Sequence, residues 1–142
     1  MANYQFDRLF SPDEANTLVP VIEPLIRKLQ GTARELREKI SGLIDEDPAI
    51  ERMQLPAIIE RHPHLRELAS RMADAAHEIE AHGCFLKDID LGLIDFPWEI
   101  DEGNVVFLCW QPGEREIVAW HPVEAGFAQR QPIPGVAKQY LN

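Results

Sequence analysis

Two long apolar stripes constrain this chain more than any other feature. Leu18, Ile22, Leu25, Leu29, Ala33, Leu36, Ile40 and Leu43 recur at steps of three and four. Leu65, Leu68, Met72, Ala75, Ile79, His82, Leu86 and Ile89 do the same. Such spacing lays one apolar stripe along a helix and does not fit the two-residue period of a strand. Each run is long enough for about seven helical turns. The second keeps a strict three–four alternation, the heptad seam of a coiled coil. Two such helices in succession are expected to pack antiparallel. A lone pair of helices buries little, so a second copy forming a four-helix bundle is the expected partner, making the chain a homodimer.

The ends of the helices are also written in the sequence. Ser11-Pro12-Asp13-Glu14 supplies an N-cap, a proline at the first helical position and a glutamate at the capping-box position. Pro20 and Pro24 lie inside the first stripe, and each removes an amide donor. They predict a kink, or a short first segment breaking near Val19. Asp45 to Pro48 reads as a turn, and Ile50 to Arg61 as a short helical or irregular piece. His62-Pro63-His64 restarts the chain.

After Gly92 the period changes. Leu93 to Phe96 is short and apolar, and Pro97 is expected to end it. Val105 to Trp110 reads as a buried strand, and Glu116 to His121 as its return across a Pro-Gly turn. The result is a β-hairpin, or a meander if 93–96 joins. Placing Trp110 opposite Glu116 puts His121 opposite Val105. Cys109 and His121 then share a face but stand roughly 13 Å apart, at about 3.3 Å per residue. That register weighs against a metal shared by the two. The tail from Pro132 to Asn142 reads as a loop or a packed extension. The fold class is therefore α+β. Residues 1–142 form a single domain, with a long coiled-coil-like helical hairpin over 11–91 and a small antiparallel sheet and tail over 92–142.

Charge narrows the partners. The chain carries 24 acidic and 14 basic residues and a net charge of −10. Nucleic acid and anionic membrane surfaces both call for basic residues in excess, so neither is expected. No apolar run is long enough to span a bilayer, and the N-terminus does not resemble a signal peptide. Cys84 and Cys109 are 25 positions apart, which points to reduced thiols and a cytoplasmic location. There is no glycine-rich phosphate loop, G-x-S-x-G, H-E-x-x-H or CxxC, so the common nucleotide, esterase, zincin and redox readings fall away.

Candidate site residues gather in the last third. His121 and Glu124 follow a strand and fit either a metal or acid/base pair, or a loop-fastening hydrogen bond. Asp95 lies between Ile94 and Phe96, where a carboxylate needs a partner. Arg130 is the expected partner, as the only cation between 120 and 132. That pair reads equally well as a structural salt bridge or a substrate-binding pair. His82, on the apolar seam, reads as a core histidine or as a further metal ligand converging with Asp95, His121 and Glu124. Cys109, flanked by Leu108 and Trp110, reads as a buried structural thiol. Asp88 and Asp90 miss the calcium-loop pattern and read as solvent-facing or capping residues.

The words SPDEAN-LVP, LKD-x-D-x-GLIDFP, LCW-x-x-GE and WH-x-x-x-x-GFAxRQPI span nearly the whole chain. They resemble an uncharacterised bacterial family, the domain of unknown function 2203. The resemblance implies a small cytoplasmic bacterial protein and brings no assigned activity. Together the residues point to binding of a metal ion, of the divalent transition type, or of a small molecule. The expected site is Asp95, His121, Glu124 and Arg130, with His82, His121 and Glu124 as metal ligands. The rival reading is a non-catalytic dimeric interaction module built on the helical hairpin.

Overall fold

A computed structural model describes residues 5–135. The residues of the tail beyond 135 lie outside the described part. Helix α1 spans Pro12–Leu43, α2 Leu55–Arg61 and α3 Arg66–Glu80, with single 3-10 turns at Pro48–Arg52 and Pro63–Leu65 between them. Five strands follow: β1 Phe85–Asp88, β2 Leu93–Asp101, β3 Asn104–Trp110, β4 Ala119–Pro122 and β5 Gln131–Pro132. The architecture is α+β.

The capping box at the start of α1 is closed in both directions. The Glu14 amide donates to Ser11 Oγ at 3.1 Å, and the Ser11 amide donates to Glu14 Oε1 at 3.0 Å. Contrary to the break expected near Val19, α1 continues through both prolines. Pro20 and Pro24 are exposed, so the carbonyls left without a donor one turn earlier lie toward water.

The apolar stripe of α1 serves two cores. Ala15, Val19, Ile22, Ile26 and Leu29 join Ala75 and Ile79 of α3 and the inner residues of the sheet. Leu36 joins Ile50, Ile58, Leu65 and Leu68 at the connection. Asp47 pins that connection, accepting two hydrogen bonds from Arg61 at 2.8 and 2.6 Å and lying 2.9 Å from His62 Nε2.

Helix α3 is shorter than its heptad seam predicts. It ends at Glu80, and Gly83 turns the chain with a φ of +96°. Leu86 and Ile89 nevertheless pack on the main core, from β1 and from the turn after it. The apolar period therefore outlasts the helix.

The sheet is an antiparallel meander in the order β1-β2-β3-β4-β5. Ile94, Phe96, Leu108 and Trp110 face the helices and are fully buried. β2 does not stop at Pro97 as expected but runs on to Asp101. The reason is geometric. The Pro97 carbonyl accepts from the Phe10 amide at 2.7 Å, so this residue's hydrogen-bonding edge faces away from β3. The missing proline donor therefore costs the ladder nothing.

The β3–β4 register also differs from the expected one. Phe107, not Val105, stands opposite His121, and Cys109 stands opposite Ala119. Residues 111–118 form a longer connection than a tight turn. It is fastened by Trp110 Nε1 donating to the Glu114 carbonyl at 3.0 Å and the Ile117 amide donating to Asn16 Oδ1 at 2.8 Å.

A candidate metal centre on the outer face of the sheet

Residues directly opposite in an antiparallel pair share a face. Phe85, Asp95, Cys109 and Ala119 form one such row across four strands. Phe107 and its partner His121 lie two residues along, on the same side. This is the face turned away from the helices. Asp95, Cys109 and His121 are 2, 1 and 3% exposed, so bulk water does not bathe them. One donor atom from each lies within 4.8 Å of the other two.

Both nitrogens of His121 are engaged. Nε2 is 2.9 Å from Asp95 Oδ2, and Nδ1 is 2.8 Å from the Pro122 carbonyl. A carbonyl can only accept, so Nδ1 carries a hydrogen. Nε2 then faces a carboxylate, and the contact is attractive only if a proton sits between them. Burial by itself would pull the imidazole pKa down. The hydrogen bond to Asp95, its negative charge and the Pro122 carbonyl outweigh burial, and the net shift is upward. Lys87 opposes this in part. Its Nζ stands 3.9 Å from Asp95 Oδ2 and 4.5 Å from the Phe107 ring centre.

Cys109 is held as a neutral thiol. Burial pushes its pKa up to about 12, and the Asp95 charge adds to the rise. Arg130 pulls the other way through its charge and a hydrogen bond. Aromatic rings wall the cluster: Phe107 lies 5.7 Å from the His121 ring, 5.6 Å from Phe85 and 6.0 Å from Phe6.

Of the residues picked from the sequence, Asp95 and His121 meet. Arg130 is not the partner of Asp95; it donates to Glu114 Oε2 at 2.9 Å and stacks over the Phe127 ring. Glu124 is exposed in the turn after β4, and His82 sits in the turn after α3. Among the described residues neither belongs to the donor cluster. Cys109 does belong, although its apolar neighbours mark it as structural. The signal that finds it is register: moving Cys109 to within two residues of the His121 row replaces roughly 13 Å by contact distance.

A carboxylate, a thiol and an imidazole on one buried sheet face define a candidate transition-metal site on an α+β scaffold. The chain itself belongs to the family described as uncharacterized conserved protein DUF2203, whose model matches residues 8–133. No curated protein and no solved structure matches the chain.

Proposed function

We propose that this protein binds one divalent transition metal ion, zinc in preference, through Asp95 Oδ2, Cys109 Sγ and His121 Nε2. The carrying observation is the convergence of these three donors within 4.8 Å. The donor set supports the choice of metal, since zinc takes thiolate, imidazole and carboxylate in tetrahedral geometry. The Pro122 carbonyl fixes the His121 tautomer and aims Nε2 inward, as carbonyls behind metal-bound histidines do. Charge supports it as well. A thiolate and a carboxylate balance the dication among the ligands themselves, with Lys87 adding a positive charge 3.9 Å from Asp95 Oδ2. Three protein ligands leave one tetrahedral position for water or a bound small molecule.

Binding requires the thiol proton and the proton between His121 and Asp95 to leave. The test is metal analysis of untagged protein beside the His121→Ala variant. Near-stoichiometric metal that disappears in the variant supports the reading; equal metal content in both overturns it.

The rival reading, a dimeric interaction module, is favoured by one feature. A groove of about 760 Å³, lined by Leu55, Pro56, Ala57, Ile59 and Ala69 and edged by Glu60, Arg66 and Ser70, opens on the α2–α3 side. We take α1 and α3 as an antiparallel hairpin whose groove side meets a second copy in the cytoplasm. Sedimentation equilibrium decides this: a monomer at high micromolar concentration removes it.

A further inference from the structure

The glycine and proline of the GLIDFP and QPGE words are not used by the metal centre. They build a second feature, on the helix side of the sheet. Arg27, Gln30, Arg34 and Arg37 follow one another along α1 at steps of three, four and three, and so share one face. Opposite them lie Asp90 and Leu91 of the β1–β2 turn and Pro112 of the turn after β3. Together these seven residues line an open pocket of about 430 Å³.

The floor of the pocket is fixed. Gln30 Nε2 donates to the Ile89 and Asp90 carbonyls, each at 3.1 Å. Gly92 has a φ of +72°, and a Cβ there would stand 2.7 Å from Pro112 Cγ and 3.0 Å from Gln30 Nε2. Only glycine lets the two turns and the helix approach this closely.

The charge runs against that of the whole chain. The net charge of the protein is −10, yet three arginines and a single aspartate line this pocket. Arg37 Nη2 is 2.7 Å from Asp90 Oδ1, and Arg27 lies 3.7 Å from Glu23. Arg34 has no ion-pair partner among the described residues. With Asp90 set against Arg37 and Glu23 against Arg27 at the looser 3.7 Å, Arg34 remains an uncompensated positive charge at the cavity, flanked by two further guanidinium groups. Guanidinium groups grip planar or tetrahedral oxyanions with paired N–H donors.

We propose that the pocket binds the phosphate-type dianion of a small molecule, held by Arg27, Arg34 and Arg37. The site is separate from Asp95, Cys109 and His121, which occupy the opposite face of the sheet.

The experiment titrates inorganic phosphate into the metal-free, isotope-labelled full chain at constant ionic strength and follows the arginine Nε–H resonances. Saturating shifts at Arg27, Arg34 and Arg37 are expected, with half-saturation at about 1 mM or below. The Arg27→Gln/Arg34→Gln variant, whose altered side chains are exposed, should retain the wild-type circular dichroism and melting temperature and bind at least about tenfold more weakly. Shifts that chloride reproduces, shifts that do not saturate, or unchanged affinity in the double variant overturn the proposal and return these arginines to an ordinary solvated helix face.

Discussion

His121 reaches Asp95 across an intervening strand: the two side chains meet at 2.9 Å, although β2 and β4 pair only through β3. Both are almost fully buried. Removing one member of a buried pair strands the other, which typically costs about 3–5 kcal/mol. His121→Ala and Asp95→Ala should each lower the stability of the metal-free protein by roughly that amount. Because each single change strands its partner, the double variant should lose less than the sum of the two. Urea unfolding of the four proteins measures this, and strict additivity would show that the contact carries no coupling.

The same pair sets a pH dependence. The folded pKa of His121 lies above that of a free imidazole, which is about 6.5. A raised folded pKa means that the native state holds the proton more tightly than the unfolded chain. The stabilisation is therefore complete below the unfolded pKa and is lost as pH rises through the folded one. In chelator-treated protein, the stabilisation relative to His121→Ala should be complete below about pH 6.5 and decline as pH rises above it. A flat difference across that window would show that the proton is not shared.

Gly92→Ala tests the seating of the turns. The new methyl must meet Pro112 at 2.7 Å on a backbone with φ +72°, where side chains are rarely accepted. A loss of roughly 2 kcal/mol or more is expected, from strain together with overpacking. Gly103→Ala is the useful comparison, because it has a similar φ of +76° but open space around it. It should cost less, and the difference between the two isolates the clash. Thermal denaturation of both variants gives the answer.

Much of the fold is legible in the residues. The capping box and the apolar stripe of α1 follow from local rules that the structure obeys, whereas the change to strands comes earlier than Gly92, at Phe85. Three things are not legible, each for a physical reason. The end of α3 is hidden because Leu86 and Ile89 still point into the core after the helix has stopped, so the apolar period continues through Gly83. The length of β2 is hidden because Pro97 is harmless only where its edge meets Phe10, a contact 87 positions away in the chain. The site is half hidden because a register is a long-range quantity. Asp95 and His121 stand out as polar residues in apolar surroundings, but the β3–β4 pairing decides that Cys109 joins them, and Arg130 is taken up by Glu114 of the connection after β3.

His82 and Glu124 supply a negative control. Both are sequence-plausible ligands that lie outside the donor cluster. His82→Ala and Glu124→Ala should bind zinc within about twofold of the wild type, since neither change removes a ligand or its carbonyl support. A competition titration against a chromogenic chelator reads this out. A large loss in either variant would move the site toward the turns.

The most direct test of the metal centre is a cobalt titration of the metal-free protein followed by visible absorption. Cobalt substitutes for zinc in tetrahedral sites, and a thiolate ligand adds a near-ultraviolet charge-transfer band. The wild type should bind about one equivalent, showing tetrahedral visible bands together with the thiolate band. Cys109→Ser should lose the thiolate band, and His121→Ala should bind far more weakly. Saturable cobalt binding with no thiolate band, or a spectrum unchanged in Cys109→Ser, would contradict a centre built from Asp95, Cys109 and His121.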